Sequence, residues 1–267
     1  MSGYIYDAGW EKERERLRGL EAAADPATRA AFTTVGVASG WRCLEVGPGA
    51  GSMVRALAGL VGTEGKVVAV DLDTRFVEEL AGPNVDVRQL DITCDPVPGG
   101  PFDLVHARAL LEHLPERDAV LGRLAGLLRP GGWLVVEDVD FMLGVYGDAQ
   151  QVAAPSADAS RRLAKLWRAN TEFMRGKGID PEYGRWLPMR FADLGLEGVQ
   201  ASAAAHVMTP DSASFPVVRW SLEHLRIPLI EQGLLTDADA QALYEDLQRP
   251  VSSWSPLFVT AWGRKPL

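Results

Sequence analysis

The sequence predicts an α/β fold built on a mostly parallel sheet with helices on both faces. Three observations point to it. In residues 41–52, an apolar run at 43–46 is followed by a turn punctuated by Gly47, Gly49 and Gly51. Met53, Val54, Leu57, Leu60 and Val61 then recur at helical spacing. Strand, glycine turn and helix form the first unit of a nucleotide-binding α/β domain. Next, short apolar runs alternate with helical segments as far as residue 140. Finally, two further strand-like runs, 196–208 and 256–262, lie near the end.

Composition sets the bounds. The 267 residues suit one large α/β domain or two small ones, and 47% are hydrophobic, enough for a sizeable core. The net charge of −9 argues against a non-specific nucleic-acid or anionic-membrane binder. Cys43 and Cys94 have no metal-ligand spacing and read as reduced thiols of a cytoplasmic protein. Residues 1–7 lack a basic region followed by an apolar run, so no signal peptide is expected. No apolar run approaches the roughly 20 residues that span a membrane.

The first 40 residues are helical in character. Tyr6, Trp10, Glu13, Leu17 and Leu20 share a stripe. The near-alternating charges of residues 11–18 give little net helix support. The segment is either a packing helix with a solvated face or a lid with Tyr4, Tyr6 or Trp10 turned to the site. Asp25-Pro26 predicts the start of a second short helix, and Ala38-Ser39-Gly40 its end.

The glycine turn selects its ligand. In the dinucleotide fingerprint G-x-G-x-x-G a third glycine falls where this chain has Ser52. Glu45 at the mouth of the turn would repel a pyrophosphate and suit an amino group or a sulfonium. Glu45-Val46-Gly47-Pro48-Gly49-Ala50-Gly51 resembles the first motif, E/D-x-G-x-G-x-G, of the class I S-adenosylmethionine (SAM)-dependent methyltransferases. The resemblance implies a Rossmann-like seven-stranded sheet, mostly parallel with an antiparallel last strand. It also implies SAM as cofactor and S-adenosylhomocysteine as product.

The second strand, 66–70, ends in Asp71, 20 residues beyond Gly51, where an acid can accept both ribose hydroxyls. Asp73 competes for that role, although it also suits the cap of a helix at 74–80. Leu72 would pack against the adenine. The third strand, 85–90, leads into Asp91-Ile92. The resemblance gives Asp91 the adenine amino group; an ordinary Asx turn into Thr93 is the alternative.

The fourth strand, 101–108, carries Phe102-Asp103-Leu104-Val105 and exits at His106. Ligands of open parallel sheets sit beyond the carboxyl ends of the strands. His106 therefore either lines the cofactor pocket or acts as catalytic base. His113, on the turn 110–115, reads as structural. The four histidines show no zinc spacing, so no metal is expected. A helix at 116–128 is stopped by Arg129-Pro130-Gly131-Gly132. A fifth strand, 133–136, ends in Glu137-Asp138. Leu-Arg-Pro-Gly-Gly before an apolar strand is a further likeness to the family. Glu137 is the second choice of base, and strand parity lets only one of the two acids reach the pocket.

Beyond residue 140 come a loop with Phe141, Met142 and Tyr146 and helices at 156–175, 181–194, 215–230 (interrupted at Pro228) and 236–247. Trp167, Phe173, Met174, Trp186, Phe215 and Trp220 either line an acceptor site or form helix-packing core. The expected organisation is a lid segment (1–40), a SAM-binding core (41–140) and a helical cover with a final hairpin completing the same sheet (141–267). The expected function is methyl transfer to an O, N or C atom of a small molecule of secondary metabolism. The enzyme is expected to be a monomer or homodimer with no nucleic-acid or membrane partner. An NAD(P) oxidoreductase, a SAM-binding regulator and a SAM-bound enzyme of other chemistry are the alternatives.

Overall fold

A computed structural model describes residue 9 and residues 11–141, 156–205, 207–247 and 253–267. One seven-stranded sheet organises the chain. Its strands are β1 (Arg42–Val46), β2 (Lys66–Asp71), β3 (Val85–Gln89), β4 (Phe102–Arg108), β5 (Leu128–Asp140), β6 (Glu197–Ala204) and β9 (Leu257–Arg264). They lie in the order β3-β2-β1-β4-β5-β9-β6. β1 to β5 run parallel, and β9 runs antiparallel to both β5 and β6. The Rossmann-like sheet with one antiparallel strand is thus as expected. β7 (Val207–Met208) and β8 (Ser253–Trp254) form a separate two-stranded ribbon.

Strand parity builds the two faces. Leu44, Val68, Val105 and Val136 meet α3 (Arg117–Gly126) and α5 (Tyr183–Asp193) on one side. Cys43, Val67, Leu104 and Val135 meet α1 (Glu13–Val35) and α2 (Ser52–Val61) on the other. A third apolar cluster joins α4 (Ala157–Gly176), α6 (Phe215–Glu231) and α7 (Asp237–Leu247) into the cover. No helix among the described residues is long and apolar enough to cross a membrane.

Several elements depart from expectation. Pro26 does not start a helix: α1 runs through it and ends at Gly36. Tertiary burial of Ala24, Thr28, Ala31 and Phe32 holds the helix despite the missing N–H. Pro228 likewise lies inside α6, between the buried Leu225 and Leu229. The helix expected at 74–80 is a hydrogen-bonded turn at 75–77 followed by one 3₁₀ turn, Glu78–Leu80. β5 begins at Leu128, before the Arg-Pro-Gly-Gly expected to precede it, and absorbs the extra residues as an irregularity between Phe102 and Leu104 of β4. The strand expected at 196–208 divides into β6 and β7. An interior proline costs a helix about 3 kcal/mol, and a helix adapted to it recovers only part of that on replacement. Pro26→Ala is therefore expected to raise stability by about 1–2 kcal/mol, read from the urea midpoint; a lowered midpoint would contradict this.

Candidate functional site

A cavity of about 490 Å³ opens at the carboxyl ends of β1, β2 and β4. The glycine turn forms its floor. Gly47, Gly49 and Gly51 have φ of 69°, 58° and 91°, in the region where a Cβ is strained. Gly47, Pro48 and Gly49 line the cavity, but Gly51 does not. A Cβ on Gly51 would stand 2.5 Å from Leu80 Cδ1 and 3.1 Å from Val77 Cγ1. The expected ligand contact of Gly51 is thus replaced by a packing role: the turn must pass close under the 3₁₀ segment.

Glu45, Asp71, Leu72, Asp91 and Ile92 come together on the same wall. Asp71 Oδ1 accepts the N–H of Asp73 (3.1 Å), and burial pushes the Asp71 carboxyl up to about 6. Asp73 is engaged otherwise: it accepts the N–H of Arg75 (3.1 Å) and pairs with its guanidinium (2.7 Å). Asp91 forms the Asx turn, accepting from Thr93 N (2.8 Å) and Oγ1 (2.6 Å), and these bonds hold its carboxyl below the ordinary value.

His106 and Glu137 are not on the wall, which corrects their placement as pocket residues. Both are fully buried on the sheet face beneath α1. Register explains it: Glu45 is paired with His106, and Arg108 with Glu137. His106 Nδ1 lies 2.6 Å from Glu45 Oε2, and its ring meets Phe32 of α1 edge-on at 5.0 Å. Glu137 accepts from Thr28 Oγ1 of α1 (3.0 Å) and from Thr260 Oγ1. Asp138, on the opposite face, accepts from Leu110 N (3.1 Å). Burial and the neighbouring Glu112 raise its carboxyl well above the ordinary value.

The wall also holds Glu21, Arg108 and Glu112, which the sequence reading gave no role, and His113. His113, expected to be structural, has Nε2 3.3 Å from Glu112 Oε1, and Glu112 accepts from Val139 N (3.0 Å). Arg108 was legible as a charge closing a strand; Glu21 carried no signal without the fold. Among the described residues, seven carboxylates (Glu13, Glu21, Glu45, Asp71, Asp73, Asp91, Glu112) line the cavity against two guanidinium groups, Arg16 and Arg108.

The cover and β9 contribute mainly apolar side chains, Leu166, Met174, Leu222, Leu225, Leu229 and Phe258, to the wall, together with Asn170 and Ser221. Of the six aromatic or Met candidates in the cover, Trp167 and Met174 line it. Phe173 lies in the cover's core, and Trp186 is 41% exposed. Phe215 and Trp220 are off the wall. Tyr4, Tyr6, Trp10, Met142 and Tyr146 lie outside the described residues.

Known proteins resemble this chain. Methyltransferase str3 of Strobilurus tenacellus is 34% identical over 182 residues, covering 68% of this chain and 60% of its own. Ubiquinone biosynthesis O-methyltransferase of Xylella fastidiosa is 33% identical over 175 residues, covering 60% and 63%. The chain spans 53% and 60% of the length of two Strobilurus relatives, methyltransferases str2 and str3. Phosphoethanolamine N-methyltransferase 2 of Haemonchus contortus, solved with phosphomonomethylethanolamine and S-adenosylhomocysteine, matches with a TM-score of 0.54 at 15% identity. That likeness, one of fold, covers 91% of this chain and 53% of that one. The model of the methyltransferase domain matches residues 9–200, and the chain belongs to this family, whose methyl donor is SAM.

Proposed function

We propose that the protein is a SAM-dependent methyltransferase acting on an apolar small molecule. The observation that carries this is one cavity walled both by acidic residues at the strand ends beside the glycine turn and by mostly apolar side chains of α4 and α6. SAM would supply a methyl group already activated by the sulfonium charge. Asp71 would accept the ribose hydroxyls, Leu72 and Ile92 would pack on the adenine, and Asp91 would accept from the adenine amino group. Glu45, held by His106, would take the ammonium group. The same carboxylates repel a pyrophosphate, which favours SAM over a nicotinamide dinucleotide.

The cavity's own task is to align the acceptor and exclude water, and positioning can supply much of the rate. Neither His106 nor Glu137 is assigned as base. The wall's imidazole, His113 beside Glu112, is the group available where an acceptor must lose a proton. In this reading α1 and the helices α4, α6 and α7 act as cover over the core, while β6 and β9 complete its sheet. The acidic protein works in the cytoplasm without a nucleic-acid partner. The apolar wall and the quinone-pathway name of one relative both support phenols, quinols and similar secondary metabolites as acceptors.

Calorimetry tests the cofactor: S-adenosylhomocysteine is expected to bind and NADH not, and the reverse result overturns the proposal. Mass spectrometry after incubation with SAM and a panel of phenols and quinols tests the acceptor. An added methyl group on apolar members is expected; methylation confined to highly charged acceptors would reject the apolar wall's role.

A further inference from the structure

Arg108 closes β4 beside the glycine turn and is almost wholly withdrawn from solvent, with 8% of its side chain exposed. It lines the cavity, yet its guanidinium is turned to α1. Nη1 donates to Asp25 Oδ1 (3.0 Å) and Thr28 Oγ1 (3.0 Å), and Nη2 reaches Ser52 Oγ (3.3 Å). Ser52 is in turn held by the same helix: its N–H donates to Glu21 Oε1 (2.9 Å) and its hydroxyl to Asp25 Oδ1 (2.8 Å). Two carboxylates of α1 therefore satisfy a peptide N–H, a hydroxyl and a guanidinium at the end of the cavity where Glu45 also stands. Glu21 is itself on the cavity wall and within the electrostatic reach of Arg108.

A zwitterionic amino-acid tail needs an anion for its ammonium and a cation for its carboxylate. Glu45 provides the first. Two guanidinium groups among the described residues are on the wall: Arg16, closed on Glu13 by two bonds of 2.8 Å, and Arg108, paired with Asp25 at 3.0 Å and 3.8 Å from Glu137. Arg108 is the one beside the glycine turn, where it also reaches Ser52 Oγ, and so suits the second. We propose that Arg108 recognises the cofactor's carboxylate, and that Glu21 and Asp25, which hold Ser52 and Arg108, compete with that carboxylate for these donors. This rests on the SAM reading above and adds to it. Exchange of one carboxylate for another would keep the buried donors satisfied in both states, and a buried donor left unpaired is destabilising. It would also link cofactor loading to α1, which supplies Leu17 and Leu20 to the cavity wall.

The test compares SAM with decarboxylated SAM, which keeps the sulfonium, ribose and amino group, by calorimetry on the full chain. Wild type is expected to bind SAM the more tightly. Arg108→Gln is expected to weaken SAM binding about tenfold, the loss of one charge-assisted contact, and to leave decarboxylated SAM unchanged. Glu21→Gln keeps the shape of the side chain but not its charge, and is expected to tighten SAM about threefold or more, again without effect on decarboxylated SAM. Equal weakening of both ligands in Arg108→Gln would make the residue structural and overturn the proposal. Weaker SAM binding in Glu21→Gln would mean that Glu21 holds the ammonium instead, which also overturns it. Should Arg108→Gln fail to fold, the Glu21→Gln comparison decides alone. Failure of the wild type to bind either ligand would instead remove the SAM reading itself.

Discussion

Asp71→Ala is expected to weaken S-adenosylhomocysteine binding about a hundredfold. Two ribose hydroxyls donating to one carboxylate make two hydrogen bonds to a charged group, each worth at least about 1.5 kcal/mol. Their joint loss, about 3 kcal/mol, corresponds to two decades in affinity. The effect carries a pH signature. Burial lifts the Asp71 carboxyl to about 6, so part of the free protein holds it protonated in mildly acidic solution. The ligand prefers the ionised form, which accepts both bonds. Affinity is thus expected to rise with pH through about 6 and to level off above it, and Asp71→Ala is expected to lose that rise. Asp73→Ala is the contrast. Its carboxylate is already held by Arg75, so ligand affinity is expected to stay within about threefold of wild type, since no charged bond to the ligand is lost. Calorimetric titrations at several pH values check both variants. An unchanged Asp71→Ala beside a weakened Asp73→Ala would exchange the two roles.

Much of the site was legible because its signals are local. Apolar residues 43–46, the glycines at 47, 49 and 51 and the helical spacing from Met53 lie within one short stretch, and each is a backbone or burial requirement met there. Asp71 and Asp91 follow their strands directly, so finding the strands found them. His106 was misread for a different reason. Parity says that His106 shares a face with Glu45 and that Glu137 shares one with Arg108, but not what covers that face. α1 covers it, with Thr28 and Phe32 against the buried polar row. That helix was itself read as broken at Pro26, because local propensity was weighed without the tertiary packing that overrides it. Glu21 and Asp25 stayed invisible for the same reason: their partners lie 31 and 83 residues away, at Ser52 and Arg108.

Gly184→Ala is expected to be the most destabilising of these substitutions, by about 3 kcal/mol or more, at or beyond the upper end for overpacking. A Cβ at that position would stand 2.4 Å from the carbonyl oxygen of Asp138 and 2.9 Å from its carbon. These are backbone atoms of a central strand, and no rotamer change relieves the overlap. Nor can α5 slide away at small cost. Tyr183, Leu187 and Phe191 are fully buried against the sheet, and Arg185 holds Asp140 through two bonds of 2.7 Å. Gly51→Ala offers a measured contrast. Its Cβ would come as close, 2.5 Å, but to the tip of the Leu80 side chain, which can turn. What remains there is mainly the left-handed backbone of a non-glycine residue, about 1–2 kcal/mol. Urea midpoints are expected to fall further for Gly184→Ala than for Gly51→Ala. Ligand binding is expected to show the opposite order when both variants are compared under folding conditions, because Gly51 holds the turn whose Gly47 and Gly49 line the cavity, whereas Gly184 lies behind β5. A Gly184→Ala midpoint equal to wild type would contradict the close approach of α5 to β5 at this glycine.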